Sequence, residues 1–419
     1  MSVNPILGQL VMGYSPMIDR ERSPIATRLT VFPERREAAP DPQALLEVWP
    51  APDGPITLSL RPLEVSGGAA AAPAVPTKAT PLSLNIASEP WLRAMLALAP
   101  PPHVMIEVPA FMVSDPTHHA ALRALHENGS VLIVKGRPVT ELPRELLPCF
   151  RHSLIDVGED RRGADSTPPS GTQRLITPIQ VGVRTRAELD AAFARGAVAT
   201  LGWPLEDEIA VHASKSAGAD LAVVTELIKR VDAEEPVERL EAVLKNDPQL
   251  GFRLMRYLNS AAFGLAVEIS SFQHAMMLLG YKKLKRWLAL LLVSSSKDPA
   301  MKPAMFAAVR RGLLMEELVR GSGDDEMRGE VFICGVFSLL DRMLGQPFAE
   351  LLESVPVPDR VRQALVDGTG PYQPYLALVK ALEQGVRSDI REAADASFLG
   401  QAEINAALLR AMASARELD

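Results

Sequence analysis

The chain has few cysteines, few aromatic residues and no long apolar segment. Of its 419 residues only two are cysteines, Cys149 and Cys334, and only 5% are aromatic. Two thiols so far apart in sequence argue against a disulfide framework or a thiolate metal site, and they favour a reducing compartment. The most apolar run, 287–293, is much too short to span a bilayer, and no secretory leader is recognisable. We therefore expect a cytoplasmic protein without membrane insertion.

A large excess of charge of either sign is also missing. The 44 basic and 51 acidic residues give a net charge of −7, and charged residues make up 23% of the chain. A chain of this charge has no general attraction to nucleic acid, so an anionic partner would need a local basic patch. Apolar residues, at 47%, are abundant enough for two or three globular domains.

The first half of the chain, to about residue 207, is rich in proline and contains short apolar runs. These runs are rich in Val, Ile and Leu, which is typical of buried parallel strands. They lie at 82–87, 103–108, 130–136, 153–158, 176–183 and 198–204. Helical patterns at 90–98, 118–128 and 186–195 lie between them. Strands that alternate with helices predict an α/β fold, and this number of units predicts a TIM-type (β/α) barrel.

The second half, 208–419, has apolar residues at helical spacing almost throughout. The patterns at 221–231, 237–244, 304–320, 330–345 and 373–384 predict an all-helical bundle. Asp247 followed by Pro248 is typical of a helix start, because the carboxylate caps backbone amides and proline suits the first turn.

In the segment that follows, polar residues and glycines are expected to end helices and to form turns. The side chains of Asn259 and Ser260 compete for backbone hydrogen bonds and are expected to end the helix. Gly264 and Gly280 permit tight turns. None of these positions forms a catalytic arrangement, so we interpret all of them as structural.

The stretch 247–287, DPQLGFRLMRYLNSAAFGLAVEISSFQHAMMLLGYKKLKRW, resembles the core signature of HDOD domains. The resemblance extends over about 215–385 and implies a helical, non-catalytic module related to HD-type phosphohydrolases. The metal sites of those hydrolases use scattered histidines and an adjacent His–Asp pair, and Ser338 and Leu339 stand in that place here. His274 is the only histidine after His212. Because a two-metal site needs several such ligands, we predict no metal site in this half.

Segments of the first half match successive segments of a second family. They are YSPMIDR (14–20), ATRLTVF (26–32), LNIAS (84–88), VMIEVPA (104–110), SVLIVKGRP (130–138) and SLIDV (153–157). Together they resemble a degenerate EAL domain, the barrel that hydrolyses cyclic di-GMP in active members. The resemblance implies a site with two metal ions held by carboxylates and an asparagine, of which Asn85, Glu107 and Asp156 are the remnants.

The other positions of that site differ from the family pattern. Ser15 replaces a glutamine, Arg28 the glutamate that gives the family its name, Ala110 a second acid, Lys135 and Gly136 the paired aspartates, Leu154 the catalytic lysine, Val181 and Arg184 two glutamates, and Leu201 the closing glutamine. Cationic Arg28, Lys135 and Arg184 would repel metal ions. We therefore predict no catalytic residue, no bound metal or cofactor, and no phosphodiesterase activity.

Three further clusters allow alternative hypotheses. Arg28, Lys135, Arg137 and Arg184 could attract the phosphates of cyclic di-GMP without cleaving it. Lys282, Lys285 and Arg286 share one helix face and form a possible anion patch for nucleic acid or an acidic partner. His118, His119 and His126 suggest a metal site. Solvated or packed side chains are the simpler interpretation of each cluster.

The sequence thus predicts a two-domain bacterial signal-transduction protein that is not an enzyme. Residues 1–207 form the degenerate EAL-like barrel, and 208–419 form the HDOD-like helical domain. We expect it to act by binding a protein partner of unknown identity, with neither cyclic di-GMP nor nucleic acid as an expected ligand. The alternatives are a cyclic di-GMP sensor without hydrolysis and a residual phosphodiesterase that uses Asn85, Glu107 and Asp156.

Overall fold

A computed structural model describes most of the chain. The described residues are 4–35, 38, 40–48, 81–98, 100, 104–136, 141–160, 176–207, 218–245, 272–294 and 298–414. The chain divides into two compact units. The first contains Met1–Asp207 and Lys380–Ala406, and the second contains Glu208–Val379 and Ala407–Asp419.

Eight strands of the first unit form a closed barrel in which neighbours in sequence are neighbours in space. They are β1 (Leu10–Ile18), β2 (Pro24–Pro33), β3 (Leu82–Ile86), β4 (Val104–Pro109), β5 (Leu132–Lys135), β6 (Phe150–Asp156), β7 (Thr177–Val181) and β8 (Ala199–Leu201). The helices around them are α1 (Pro42–Glu47), α2 (Glu89–Leu96), α3 (Ala110–Ser114), α4 (His119–Glu127) and α5 (Arg186–Ala194). The predicted barrel is confirmed at this level.

The strand directions differ from those of an all-parallel barrel in one place. Strands β2 to β8 run parallel to one another, whereas β1 is antiparallel to both β2 and β8. The reason is local, because the connection Asp19–Ser23 is too short for a crossover and closes a hairpin instead. Within it the Asp19 carboxylate accepts a hydrogen bond from the Ser23 amide at 2.7 Å, and Arg22 has a φ of 61°.

The barrel interior has an apolar layer below a polar one. Residues two apart on a strand face the same side, so Glu107 lies above Met105 and Lys135 above Ile133. The apolar layer packs side chains from seven strands: Met17, Ala26, Met105, Ile133, Leu154, Ile179, Ala199 and Leu201. The polar layer therefore lies at the carboxyl-terminal ends of the parallel strands, where barrel enzymes hold their active sites.

Residues Lys380–Ala406 belong to the barrel unit, although the sequence analysis assigns them to the helical domain at 208–419. Hydrogen bonds from a side-chain amide hold this segment to the barrel. The buried Asn405 donates to the carbonyls of Leu7 and Leu10 at 2.7 and 2.8 Å. A close backbone contact adds to them. A Cβ on Gly13 would lie 2.5 Å from the Cα of Gly385. Such contacts between residues far apart in sequence leave no pattern in the sequence.

The second unit is helical, as predicted, in the part that the structure describes. Its helices are α6 (Gly218–Asp232), α7 (Val237–Lys245), α8 (Phe272–Ser294), α9 (Lys302–Leu318), α10 (Asp325–Phe337), α11 (Leu340–Leu344), α12 (Phe348–Ser354) and α13 (Asp359–Arg362). Three more follow, α14 (Gln373–Gln384), α15 (Arg387–Ser397) and α16 (Gln401–Ser414), of which α15 lies in the first unit. None of the described helices is both long and apolar enough to cross a membrane.

Two glycines allow α9 and α10 to pack in close contact. A Cβ on Gly335 would lie 2.6 Å from the backbone of Arg311 and Gly312, and one on Gly312 would lie 2.5 Å from Val336 Cγ2. Both distances are shorter than any real Cβ contact, so the two helices can approach this closely only with glycine at these positions.

We expect Gly335→Ala to destabilise the protein by about 1–3 kcal/mol, because the added methyl group would push α9 and α10 apart. The matched control is Gly329→Ala in the same helix, where a Cβ would meet no atom within 4 Å. That substitution should instead stabilise the protein by about 0.5–1 kcal/mol through backbone entropy. Urea unfolding of both variants measures the effect, and equal free energies of unfolding would contradict the close packing.

Candidate functional site

The polar layer of the barrel centres on a buried ion pair. Arg28 on β2 contacts Glu107 on β4 through two parallel hydrogen bonds, Nε to Oε1 at 2.7 Å and Nη2 to Oε2 at 2.6 Å. The Glu107 side chain is fully buried, and that of Arg28 is 13% exposed. Ser83 Oγ on β3 donates a third hydrogen bond to Oε1 at 2.8 Å. The remnant acid is therefore held by the chain's own cation in a bidentate geometry.

A second contact lies beside the ion pair. Lys135 Nζ, at the end of β5, donates to Asn85 Oδ1 at 2.8 Å, and Asn85 Nδ2 donates to Thr30 Oγ1 at 3.1 Å. Burial lowers the pKa of the Lys135 ammonium below its usual value; the Glu107 carboxylate opposes this shift and the Arg28 guanidinium adds to it. Two of the three basic residues that the resemblance aligns with family acids thus contact two of the three remnants, Glu107 and Asn85.

The third remnant, Asp156, is separate from these contacts in the described structure. It lies exposed at the end of β6, and its Oδ1 accepts a hydrogen bond from the Gly158 amide at 2.8 Å. Arg184 is also exposed, and its backbone amide is held by Glu188. Arg137 lies outside the described residues. The cluster that the structure brings together therefore consists of Arg28, Glu107, Ser83, Lys135, Asn85 and Thr30.

Sequence analysis did not single out His152, which lies on the inner face of β6 two residues before Leu154. Its Nδ1 lies 2.7 Å from Thr177 Oγ1, and its Nε2 is buried without a hydrogen-bond partner among the described residues. Burial, assisted by the nearby Arg151, lowers its pKa to about 4. The strand alternation that places Leu154 inside was the available signal, because a residue two positions earlier shares that face.

In the helical unit, the signature residues Asp247, Pro248, Asn259, Ser260 and Gly264 lie outside the described residues. Gly280 is described, and its φ of 68° and ψ of 175° divide α8 into two helical segments.

Ser338, which stands in place of the His–Asp pair, is buried at the end of α10. It accepts a hydrogen bond from Arg311 Nη1 at 3.1 Å, and its Oγ donates to the Gly335 carbonyl at 2.7 Å. In this unit too, a buried arginine contacts a residue that the resemblance aligns with the metal ligands of HD-type hydrolases.

The possible anion patch is largely engaged in ion pairs within its own unit. Lys285 contacts Asp232, and Arg286 Nη1 lies 2.6 Å from Glu316 Oε1. The Arg286 guanidinium also stacks over the Phe332 ring at 3.8 Å. Lys282 is exposed. Two of the three cations are therefore compensated by neighbouring acids, which reduces the attraction of this face for an anion.

The histidines proposed as metal ligands contact other groups. His119 Nε2 lies 3.1 Å from the Val113 carbonyl, and His118 Nε2 lies 3.8 Å from the Asp115 carboxylate. His126 is exposed. Across the part of the chain that is described, no three His, Cys, Asp or Glu side chains converge as metal ligands would.

Comparison with known proteins identifies the helical part of the chain. Residues 220–346 match the family model of the HDOD domain. The chain is therefore a two-part protein in which a closed eight-stranded barrel is followed by a helical region with an HDOD domain. The assignment of the barrel to the EAL family stays a prediction.

Two curated proteins are similar over part of their length. The uncharacterized protein YuxH of Bacillus subtilis (strain 168) is 31% identical over 166 residues, which cover 38% of this chain and 39% of YuxH. The cyclic di-GMP phosphodiesterase CdgJ of Vibrio cholerae (serotype O1, strain El Tor Inaba N16961) is 30% identical over 148 residues, or 35% of this chain and 34% of CdgJ. The chain thus spans about two fifths or less of these relatives.

We expect Arg28→Met to destabilise the protein by about 3–5 kcal/mol, because it leaves the Glu107 carboxylate buried without its cation. The double variant Arg28→Met/Glu107→Leu should recover most of that loss, since it removes both charges together. As control, Arg93→Met breaks an exposed pair with Glu89 and should cost less than about 1 kcal/mol. Chemical unfolding of the three variants measures this, and a double variant no more stable than Arg28→Met would contradict the coupling.

A second prediction concerns pH. The folded protein keeps His152 neutral to about pH 4, whereas the unfolded chain gains the proton near its ordinary pKa of 6.5. The contribution of His152 to the free energy of unfolding is therefore fully present above the unfolded pKa, and it is lost as the pH falls from about 6.5 towards 4. Between about pH 7 and pH 5 the loss due to His152 should be about 2 kcal/mol.

The variant His152→Gln should lose less stability than the wild type over this interval, because it no longer has the titrating group. The exposed His126→Gln is the matched control and should follow the wild type. Free energies of unfolding at both pH values provide the measurement. An identical pH dependence in all three proteins would show that His152 is not the group responsible.

Proposed function

We propose that this chain is a non-enzymatic regulatory protein of a bacterial signalling pathway, in which the barrel is an inactive relative of cyclic di-GMP phosphodiesterases. The HDOD domain would supply a helical surface for a protein partner. The similarity to CdgJ, a cyclic di-GMP phosphodiesterase, supports the pathway, and the match at 220–346 supports the helical module. The resemblance of the first half to EAL domains gives the barrel its proposed origin.

One observation carries the proposal of inactivity. A metal-dependent phosphodiesterase needs free carboxylates to hold cations and activate water. In this barrel the Glu107 carboxylate accepts two hydrogen bonds from Arg28 and one from Ser83. A divalent cation at that carboxylate would have to displace the guanidinium and would then face its positive charge. The residues present do not fit a metal pair.

A second function is favoured by the state of Lys135. Its partly buried ammonium contacts the neutral oxygen of Asn85, and no carboxylate of the described residues forms an ion pair with it. Such a cation at the carboxyl-terminal end of the barrel could bind a phosphate of cyclic di-GMP without hydrolysis. The chain would then be a cyclic di-GMP sensor, again with the HDOD domain as its output.

The leading proposal is tested by incubating the full chain with cyclic di-GMP and Mg²⁺ or Mn²⁺ and separating the products by chromatography. We expect no linear dinucleotide, while CdgJ, as positive control, gives turnover under the same conditions. Metal-dependent product that disappears in Glu107→Gln and Asn85→Ala would contradict the proposal and favour a residual phosphodiesterase.

Calorimetric titration of the metal-free full chain with cyclic di-GMP separates the scaffold from the sensor. The scaffold hypothesis expects no saturable heat. Saturable binding that Lys135→Met weakens by roughly tenfold or more, the loss expected for one charge-assisted hydrogen bond, would support the sensor instead. The exposed Lys282→Met is the matched control, because it removes the same charge from the other unit.

A further inference from the structure

A cleft of about 760 Å³ lies in the barrel unit, outside the cluster of Arg28 and Glu107. One wall is formed by Phe32 and Pro33 at the end of β2 and by Ala87–Pro90 between β3 and α2. The other is formed by the first turn and a half of α15, with Val386, Arg387, Ser388 and Arg391. Its volume is in the range of pockets that hold small organic molecules.

Arg387 has a hydrogen-bonding donor without a partner. Its Nη2 donates to the Glu34 carbonyl at 2.5 Å, which holds the side chain in place. Its Nε is buried and has no hydrogen-bond partner among the described residues. A buried donor that is left unsatisfied costs about 1–3 kcal/mol. The contact with the Glu34 carbonyl therefore does not use all of the hydrogen-bonding capacity of the Arg387 guanidinium.

A second arginine and the N-termini of two helices at the cleft also favour the binding of an anion. The Arg391 Nη2 lies 3.3 Å from Glu34 Oε1. Because the Arg391 side chain is 49% exposed, it is also accessible to a ligand in the cleft. The carboxylate of Glu89, which lines the cleft, is engaged by Arg93 at 2.7 Å. Both α2 and α15 begin at the cleft without a side-chain cap, and the partial positive charge of their amides favours an anion.

The apolar side chains of the cleft determine what kind of anion fits. Val386 is 45% exposed, although it is a large aliphatic residue, and it lines the cleft together with Phe32, Pro33 and Pro90. An inorganic ion would leave this surface in contact with water. A ligand with an apolar body would cover this surface, and the apolar area buried in this way would contribute to affinity.

We propose that this cleft binds a small organic anion, a carboxylate or a phosphate monoester on an apolar body, with Arg387 and Arg391 contacting the charged group and Val386, Phe32 and the two prolines contacting the body. None of the residues that line the cleft belongs to the cluster of Arg28, Glu107, Ser83, Lys135, Asn85 and Thr30, so the proposal does not depend on the proposed loss of catalysis.

The test uses the full chain and four probes: benzoate, phenyl phosphate, the neutral benzamide and inorganic phosphate. In calorimetric titrations we expect benzoate or phenyl phosphate to bind saturably, and benzamide and inorganic phosphate to bind at least about tenfold more weakly. Tighter binding of phenyl phosphate identifies a phosphate ester as the ligand class, and tighter binding of benzoate identifies a carboxylate.

Arg387→Gln and Arg391→Gln should each weaken binding of the preferred probe by about tenfold or more. Arg123→Gln, on the exposed face of α4, removes the same charge elsewhere and should bind as the wild type does. Because Arg391 is half exposed, its variant is expected to fold, and circular dichroism checks this. No saturable heat from either organic anion, equal affinity for benzamide, or unchanged affinity in a folded Arg391→Gln would overturn the proposal.

Discussion

The carboxylate of Glu107 cannot remain charged inside the barrel without a cation, and in this chain Arg28 provides one. Because the side chain of Glu107 is fully buried, the bidentate contact and the hydrogen bond from Ser83 compensate its loss of hydration. The ion pair joins β2 and β4 across the intervening β3. The polar layer above the apolar core is organised around it, and Lys135 and Asn85 complete the layer beside it.

The same physical arrangement recurs in the helical unit. At the position that resembles the metal-binding pair of HD-type hydrolases, Ser338 accepts a hydrogen bond from the buried Arg311. Both units thus contain an arginine that contacts a residue which the family resemblances align with metal ligands. An arginine cannot lose its charge in a protein and cannot activate water as a metal ion does.

Close backbone packing shapes both units. In the first, Gly13 allows the segment around Gly385 to contact β1, and Asn405 holds the following helix to carbonyls at the start of that strand. In the second, Gly312 and Gly335 allow α9 and α10 to touch through their backbones. The first of these contacts brings α15 to the end of β2 and so creates the cleft that contains Arg387 and Arg391.

The sequence by itself determined the barrel and the helical region. Short Val- and Ile-rich runs and helical periodicity depend on neighbours in the chain, so they can be recognised without the fold. The partners of Arg28 and Lys135, the antiparallel β1, the packing of 380–406 on the barrel and the buried His152 were decided only by the tertiary structure. These features depend on contacts between residues that are far apart in sequence, and neither periodicity nor composition records such contacts.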